Sequence, residues 1–276
     1  MHAGARNNLG NTLLQVGKHE DAIRELREAV RLRPNDAATH YNLGIALREK
    51  GETDAAIAAF RVAIRLKSDL ADAHFNLGLA LARRGRFQDA LPLLRKGHEI
   101  GSKRPDWDRP SKEWIESAER KAELEGRLDR VLSGEERPRD AAERIAFAEL
   151  LYAKSRHPES ARMYAEAFAA DAALAEDFDA SNRYKAACSA ALAAAAGGAD
   201  AAEWRGRALE WLRADLAARE KAATGLADML AHQKEDSDFA SVRDRLGDLP
   251  EPERAAWSDL WAAVDLALAT ALPAVK

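Results

Sequence analysis

Asn8-Leu9-Gly10, Asn42-Leu43-Gly44 and Asn76-Leu77-Gly78 are one tripeptide pattern met three times, with the glycines 34 residues apart on both occasions (44−10 and 78−44). The agreement widens outward from it. Twelve residues after each glycine stand Ala22, Ala56 and Ala90, four further on Leu26, Phe60 and Leu94, and three beyond those Ala29, Ala63 and Gly97. Gly17, Gly51 and Gly85 interrupt each unit seven residues after the signature glycine, and Pro34 closes the first unit. A proline cannot continue a helix, so each unit reads as helix A, turn, helix B. Small residues stand where the two helices must cross closely: Gly10, Ala22 and Ala29 in the first unit. Leu9, Leu13, Ile23 and Leu26 fill the remaining space. One such unit cannot bury its apolar face alone, so neighbours stack.

This period and pattern resemble the tetratricopeptide-repeat family over residues 3–104. The resemblance implies an all-α fold, a superhelix (α-solenoid) of helix–turn–helix units with a concave groove. Residues 1–104 are expected to hold three units, 105–140 a linker and a long helix, and 141–276 divergent repeat-like helices with a C-terminal cap. Pro105, Trp107 and Pro110 break the rhythm. A helix is then expected over Lys112 to Leu132, with Ser111 as N-cap, and a loop from Ser133 to Pro138. The pattern resumes weakly at Ala148, Leu151, Ser160, Tyr164 and Ala167. Later helices are expected over 183–196, 201–220, 222–234 and 252–272. Trp257, Leu260, Trp261, Val264 and Leu268 form one face of the last, as a capping helix would.

Composition narrows the function classes. Hydrophobic residues at 47% and charged residues at 32% give a chain that buries a core. Cys188 stands alone, so it offers no disulfide and no zinc-type spacing, and it reads as a small core residue of a cytoplasmic protein. No secretory signal follows Met1, and no apolar run approaches the roughly 20 residues of a membrane span. Residues 1–104 carry 18 Lys+Arg and 12 Asp+Glu, a net of +6; the remainder carries 24 (42−18) and 34 (46−12), a net of −10. The first part therefore suits an acidic partner segment, or simply presents solvated helix faces.

Catalysis finds no footing. No phosphate-binding glycine loop and no GxSxG elbow is present. Val62-Ala63-Ile64-Arg65 imitates a kinase motif, but it lies on a repeat helix and ends in arginine instead of lysine. The seven histidines form no HExxH or Cys/His cluster, so no metal, cofactor or small-molecule substrate is expected. With a pI near 6.0 and no aromatic–basic platform, nucleic acid is not an expected partner either.

A protein or extended peptide is the expected partner. Family resemblance puts helix A on the inner wall, with Asn8, Asn42 and Asn76 one per unit. Asn11, Tyr41 and Phe75 lie on the same face. The arrangement resembles the asparagine ladder in repeats of the O-linked N-acetylglucosamine transferase kind, in which amides hold a peptide backbone without demanding a side chain. The alternative is that these amides only cap the neighbouring unit. The chaperone-binding variety of the repeat uses cationic residues where this chain has Asp72 and Asn76, which argues against chaperone-tail binding.

Further segments carry a second resemblance. LPLLRKGHEIGSKRPDW (91–107), RLDRVLSGEERPRDAAERIAFAELLY (127–152), MYAEAFAADAALAEDF (163–178), NRYKAACSAALAAA (182–195) and ALEWLRADL (208–216) follow in order. Together they resemble the C-terminal repeat region of planctomycete serine/threonine protein kinases, over roughly residues 60–270. The resemblance implies a partner-recruiting tail without its kinase domain: a detached tail, a truncated product or a stand-alone relative. It carries over no catalytic residue. It also implies an alternative role, a regulatory or oligomerising tail working through Trp257 and Trp261.

Overall fold

The structure, a computed structural model, describes residues 2–177, 180–222 and 226–271. Residues 223–225 and 272, assigned above to helix ends, lie outside them, as do Phe178 and Asp179. The described residues form helices and no strand. The chain divides into two compact units, residues 1–129 and 130–276.

The first unit opens with three helical hairpins: α1 (Ala3–Gln15) with α2 (His19–Leu32), α3 (Ala37–Glu49) with α4 (Thr53–Leu66), and α5 (Ala71–Arg83) with α6 (Phe87–Gly101). The A helices carry the signature glycines and the B helices the large residues that meet them. A Cβ added to Gly10 would lie 2.6 Å from the Leu26 side chain, one on Gly44 2.5 Å from Phe60, and one on Gly78 2.8 Å from Leu94. These gaps are below any real carbon–carbon contact, so the 34-residue period records a helix crossing that only glycine permits. Phe60, Leu26 and Leu94 are each at most 1% exposed. Gly17, Gly51 and Gly85, all at left-handed φ (73°, 84° and 66°), end the A helices. Asp36 starts α3, its carboxylate accepting from the Ala38 amide at 3.1 Å.

α7 (Ser111–Leu132) follows the third hairpin. The expected N-cap role of Ser111 is corrected: its hydroxyl pairs with His98 Nδ1 at 2.7 Å and accepts from Trp107 Nε1 at 3.2 Å. It joins α7 to the end of α6 and does not close α7's own first turn.

In the second unit the hairpin register returns with other residues. α8 (Ala141–Ala153) pairs with α9 (His157–Ala170), and α10 (Asn182–Ala195) with α11 (Ala201–Ala222). Ala148 takes the signature-glycine place and Ser155, at φ 59°, the turn-glycine place. Ser160 Oγ donates to the Ala148 carbonyl at 2.7 Å and pairs with Ser189 Oγ at 2.9 Å, tying α8, α9 and α10 through buried hydroxyls. α10 is buried almost all round by its own alanines, and Trp204, Trp211 and Trp257 fill the space that small residues leave. α12 (Leu226–Glu235), α13 (Ala240–Arg243) and α14 (Glu251–Ala271) complete the unit. α14 packs against α11 and α12 through Trp257, Leu260 and Val264.

Candidate functional site

The helix-A face of the first unit holds the six sequence-derived contacts at three depths. Asn8 and Asn11 on α1 are exposed, Tyr41 and Asn42 on α3 are half-buried, and Phe75 and Asn76 on α5 are 2% and 1% exposed.

The depth follows from how the repeats are joined. Asn42 Nδ2 donates to Asn7 Oδ1 at 3.0 Å, one repeat back. Asn76 Nδ2 donates to the Asp72 carbonyl at 2.8 Å and to Tyr41 Oη at 3.3 Å, while its Oδ1 accepts from Arg48. Both amide hydrogens of Asn76 are thus committed within the protein, whereas Asn42 makes a single rung. Tyr41, behind this network, is held above the usual phenol pKa, first by burial and then by the Asp72 carboxylate.

Phe75 is covered by the chain itself. Trp107 meets its ring edge-on at a centroid distance of 5.7 Å, and Trp114 approaches to 6.4 Å. Arg109 lies over both Phe75 and Trp107, at 5.7 and 5.4 Å from their centroids. Asp72 fixes the segment from below, receiving Arg104 at 2.8 Å and Arg109 at 2.7 Å. Gly101 leaves the room: a Cβ there would fall 2.3 Å from the Trp107 ring. The departure at Pro105–Pro110 that sequence reading took for a linker is therefore a strap laid on the third repeat.

Beside the strap an open cleft of ≈ 660 Å³ lies between α5 and α7. Leu79, Phe87 and Trp114 form its apolar walls; Arg48, Arg83 and Lys121 face it, along with Glu49 and Glu113. Trp114, 47% exposed, is a large aromatic open to solvent here. Neither the strap nor the cleft was found in the sequence. The signal available was the Lys103-Arg104-Pro105-Asp106-Trp107-Asp108-Arg109-Pro110 run, whose aromatic and cations are dense for a linker.

In the second unit, Trp257 is 1% exposed and Trp261 donates its Nε1 to the Val242 carbonyl at 3.0 Å. Trp257 is a core residue, whereas Trp261 is half-buried and packs against the core. Leu266, on the outer face of α14, is 68% exposed.

Residues 7–71 and 68–105 match the family model described as tetratricopeptide repeat, so this part of the chain is built of tetratricopeptide repeats. No curated protein matches the chain. Similar solved structures include the type III secretion chaperone SycD of Yersinia enterocolitica in complex with a peptide of the translocator YopD (20% identity, 43% of this chain and 93% of that one, TM-score 0.41). The Sgt2 TPR domain of Aspergillus fumigatus aligns at 22% identity over 50% of this chain and 86% of its own, TM-score 0.42. The TPR2B domain of yeast Sti1, in complex with an Hsp70 peptide, aligns at 20% identity over 45% and 97%, TM-score 0.39. No helix among the described residues is long and apolar enough to cross a membrane.

Proposed function

We propose that the chain is a non-catalytic protein-interaction scaffold, binding an extended peptide or protein segment along the helix-A face of its first three repeats. The observation that carries this reading is the row of repeat-related amides and rings on one face: exposed at Asn8 and Asn11, half-open at Tyr41 and Asn42, and running to a cleft with an exposed Trp114. Amides with spare hydrogens can satisfy a peptide backbone, and an open aromatic supplies desolvation energy. Phe75 extends the same row beneath the strap, and a partner reaches it only when the strap lifts; Asn76 lies behind Tyr41 and Arg48. The free, buried thiol of Cys188 suits a reducing, cytoplasmic setting.

A pull-down with the intact chain identifies the partner. Asn42→Ala combined with Asn8→Ala should then weaken it at least about tenfold, with helical content unchanged. Unchanged affinity in both this variant and Trp114→Ala removes the helix-A face as the binding surface.

A further inference from the structure

Three elements of the second unit bring a mixed set of donor side chains together at a place the repeat architecture does not require. Cys188 on α10, Asp236 after α12 and Asp238 in the 3-10 turn Ser237–Phe239 each offer a donor atom, and all three atoms lie within 4.8 Å of one another. Cys188 is 5% exposed, and its thiol makes a long approach of 3.8 Å to Asp236 Oδ2. His232 Nε2, on α12, stands 3.7 Å from the same oxygen. Tyr184 donates its hydroxyl to Asp236 and Tyr152 donates to Asp238, so each carboxylate is aimed by a neighbouring helix. Asp236 Oδ1 also accepts from the Asp238 amide at 2.9 Å.

The cluster is short of positive charge. Among the described residues neither carboxylate forms an ion pair with a lysine or arginine; Arg243, near enough to interact with Asp236, donates to its carbonyl at 2.8 Å and places its other nitrogens on Asp244. The imidazoles of His157 and His232 stand near it. Two carboxylates and a thiol gathered this closely form a donor set that a divalent ion can join.

We propose that Cys188, Asp236 and Asp238 form a binding site for a thiophilic divalent cation of the zinc class. A sulfur and two carboxylate oxygens give three ligands of the types zinc accepts, leaving the fourth position to water. The thiolate disfavours magnesium and calcium, which take oxygen. Binding replaces the S–H bond with a sulfur–metal bond and releases the proton to solvent. The ion would fasten α10 to the α12–Ser237 junction, a structural role independent of the peptide-binding face in the first unit.

The test uses the full chain, stripped with a chelator and titrated with Co²⁺ and then Zn²⁺. The expected result is one ion per chain, a thiolate-to-cobalt charge-transfer band that zinc abolishes, and a raised Tm with zinc. Cys188→Ser should lose the band, and Asp236→Asn with Asp238→Asn should weaken zinc at least about tenfold. Should Cys188→Ser fail to fold, the band in the parent chain and its loss in the double asparagine variant decide the matter. Absence of the band in the parent chain, or zinc binding undiminished in the double variant, overturns the site.

Discussion

The two units build the same helical hairpin by opposite means. In the first, the A and B helices touch through glycine, with Leu26, Phe60 and Leu94 pressed onto bare backbone at Gly10, Gly44 and Gly78. In the second, Ala148 replaces the glycine, and buried hydroxyls of Ser160 and Ser189 bridge the crossing. The first solution is steric and repeats with a fixed period. The second is polar and particular to its place, with tryptophans filling what the small residues leave open. A close crossing can thus be made by removing a Cβ or by giving the approaching carbonyl a donor, and only the former leaves a repeat in the sequence.

The largest test of this contrast is Phe60→Ala, which removes the ring that Gly44 admits and should cost about 3–5 kcal/mol in urea unfolding of the first unit. Gly44→Ala keeps the ring but forces it aside; about 1–3 kcal/mol is expected. The mirror change in the second unit, Ala148→Gly, needs no rearrangement and should cost about 0.5–1 kcal/mol from helix entropy alone. A larger loss at Ala148 than at Gly44 breaks the comparison. Ser160→Ala tests the polar half, with about 1 kcal/mol expected, because Ser189 keeps its bond to the Lys185 carbonyl at 3.0 Å.

Smaller effects sharpen the picture of the helix-A face. Asp72→Ala removes the carboxylate that receives Arg104 and Arg109, and these solvent-screened pairs contribute little to stability. The readout is therefore positional: tryptophan emission should shift to the red as Trp107 leaves Phe75. Tyr41 supplies the pH test. Its folded pKa lies above the unfolded value of 10.0, so its contribution is complete below pH 10 and is lost as pH rises through the folded pKa. Tyr41→Phe should flatten the alkaline fall in stability of the first unit, as followed by circular dichroism.

The tripeptide at 8–10, 42–44 and 76–78 determined the helical hairpin, its turns and which face is helix A, because a steric contact repeated every 34 residues is written directly in residue size. It also singled out Asn8, Asn42 and Asn76 as one row. Their different depths were not readable, since exposure depends on what packs from outside: Tyr41 and Arg48 on Asn76, and the Trp107 strap on Phe75. Nor could the sequence join Cys188 to Asp236 and Asp238, which lie 48 and 50 residues further on (236−188 and 238−188) and converge only because the Ser237–Phe239 turn packs onto α10. Period and composition reach as far as contacts that recur. A site assembled once, from residues distant along the chain, is decided by tertiary packing alone.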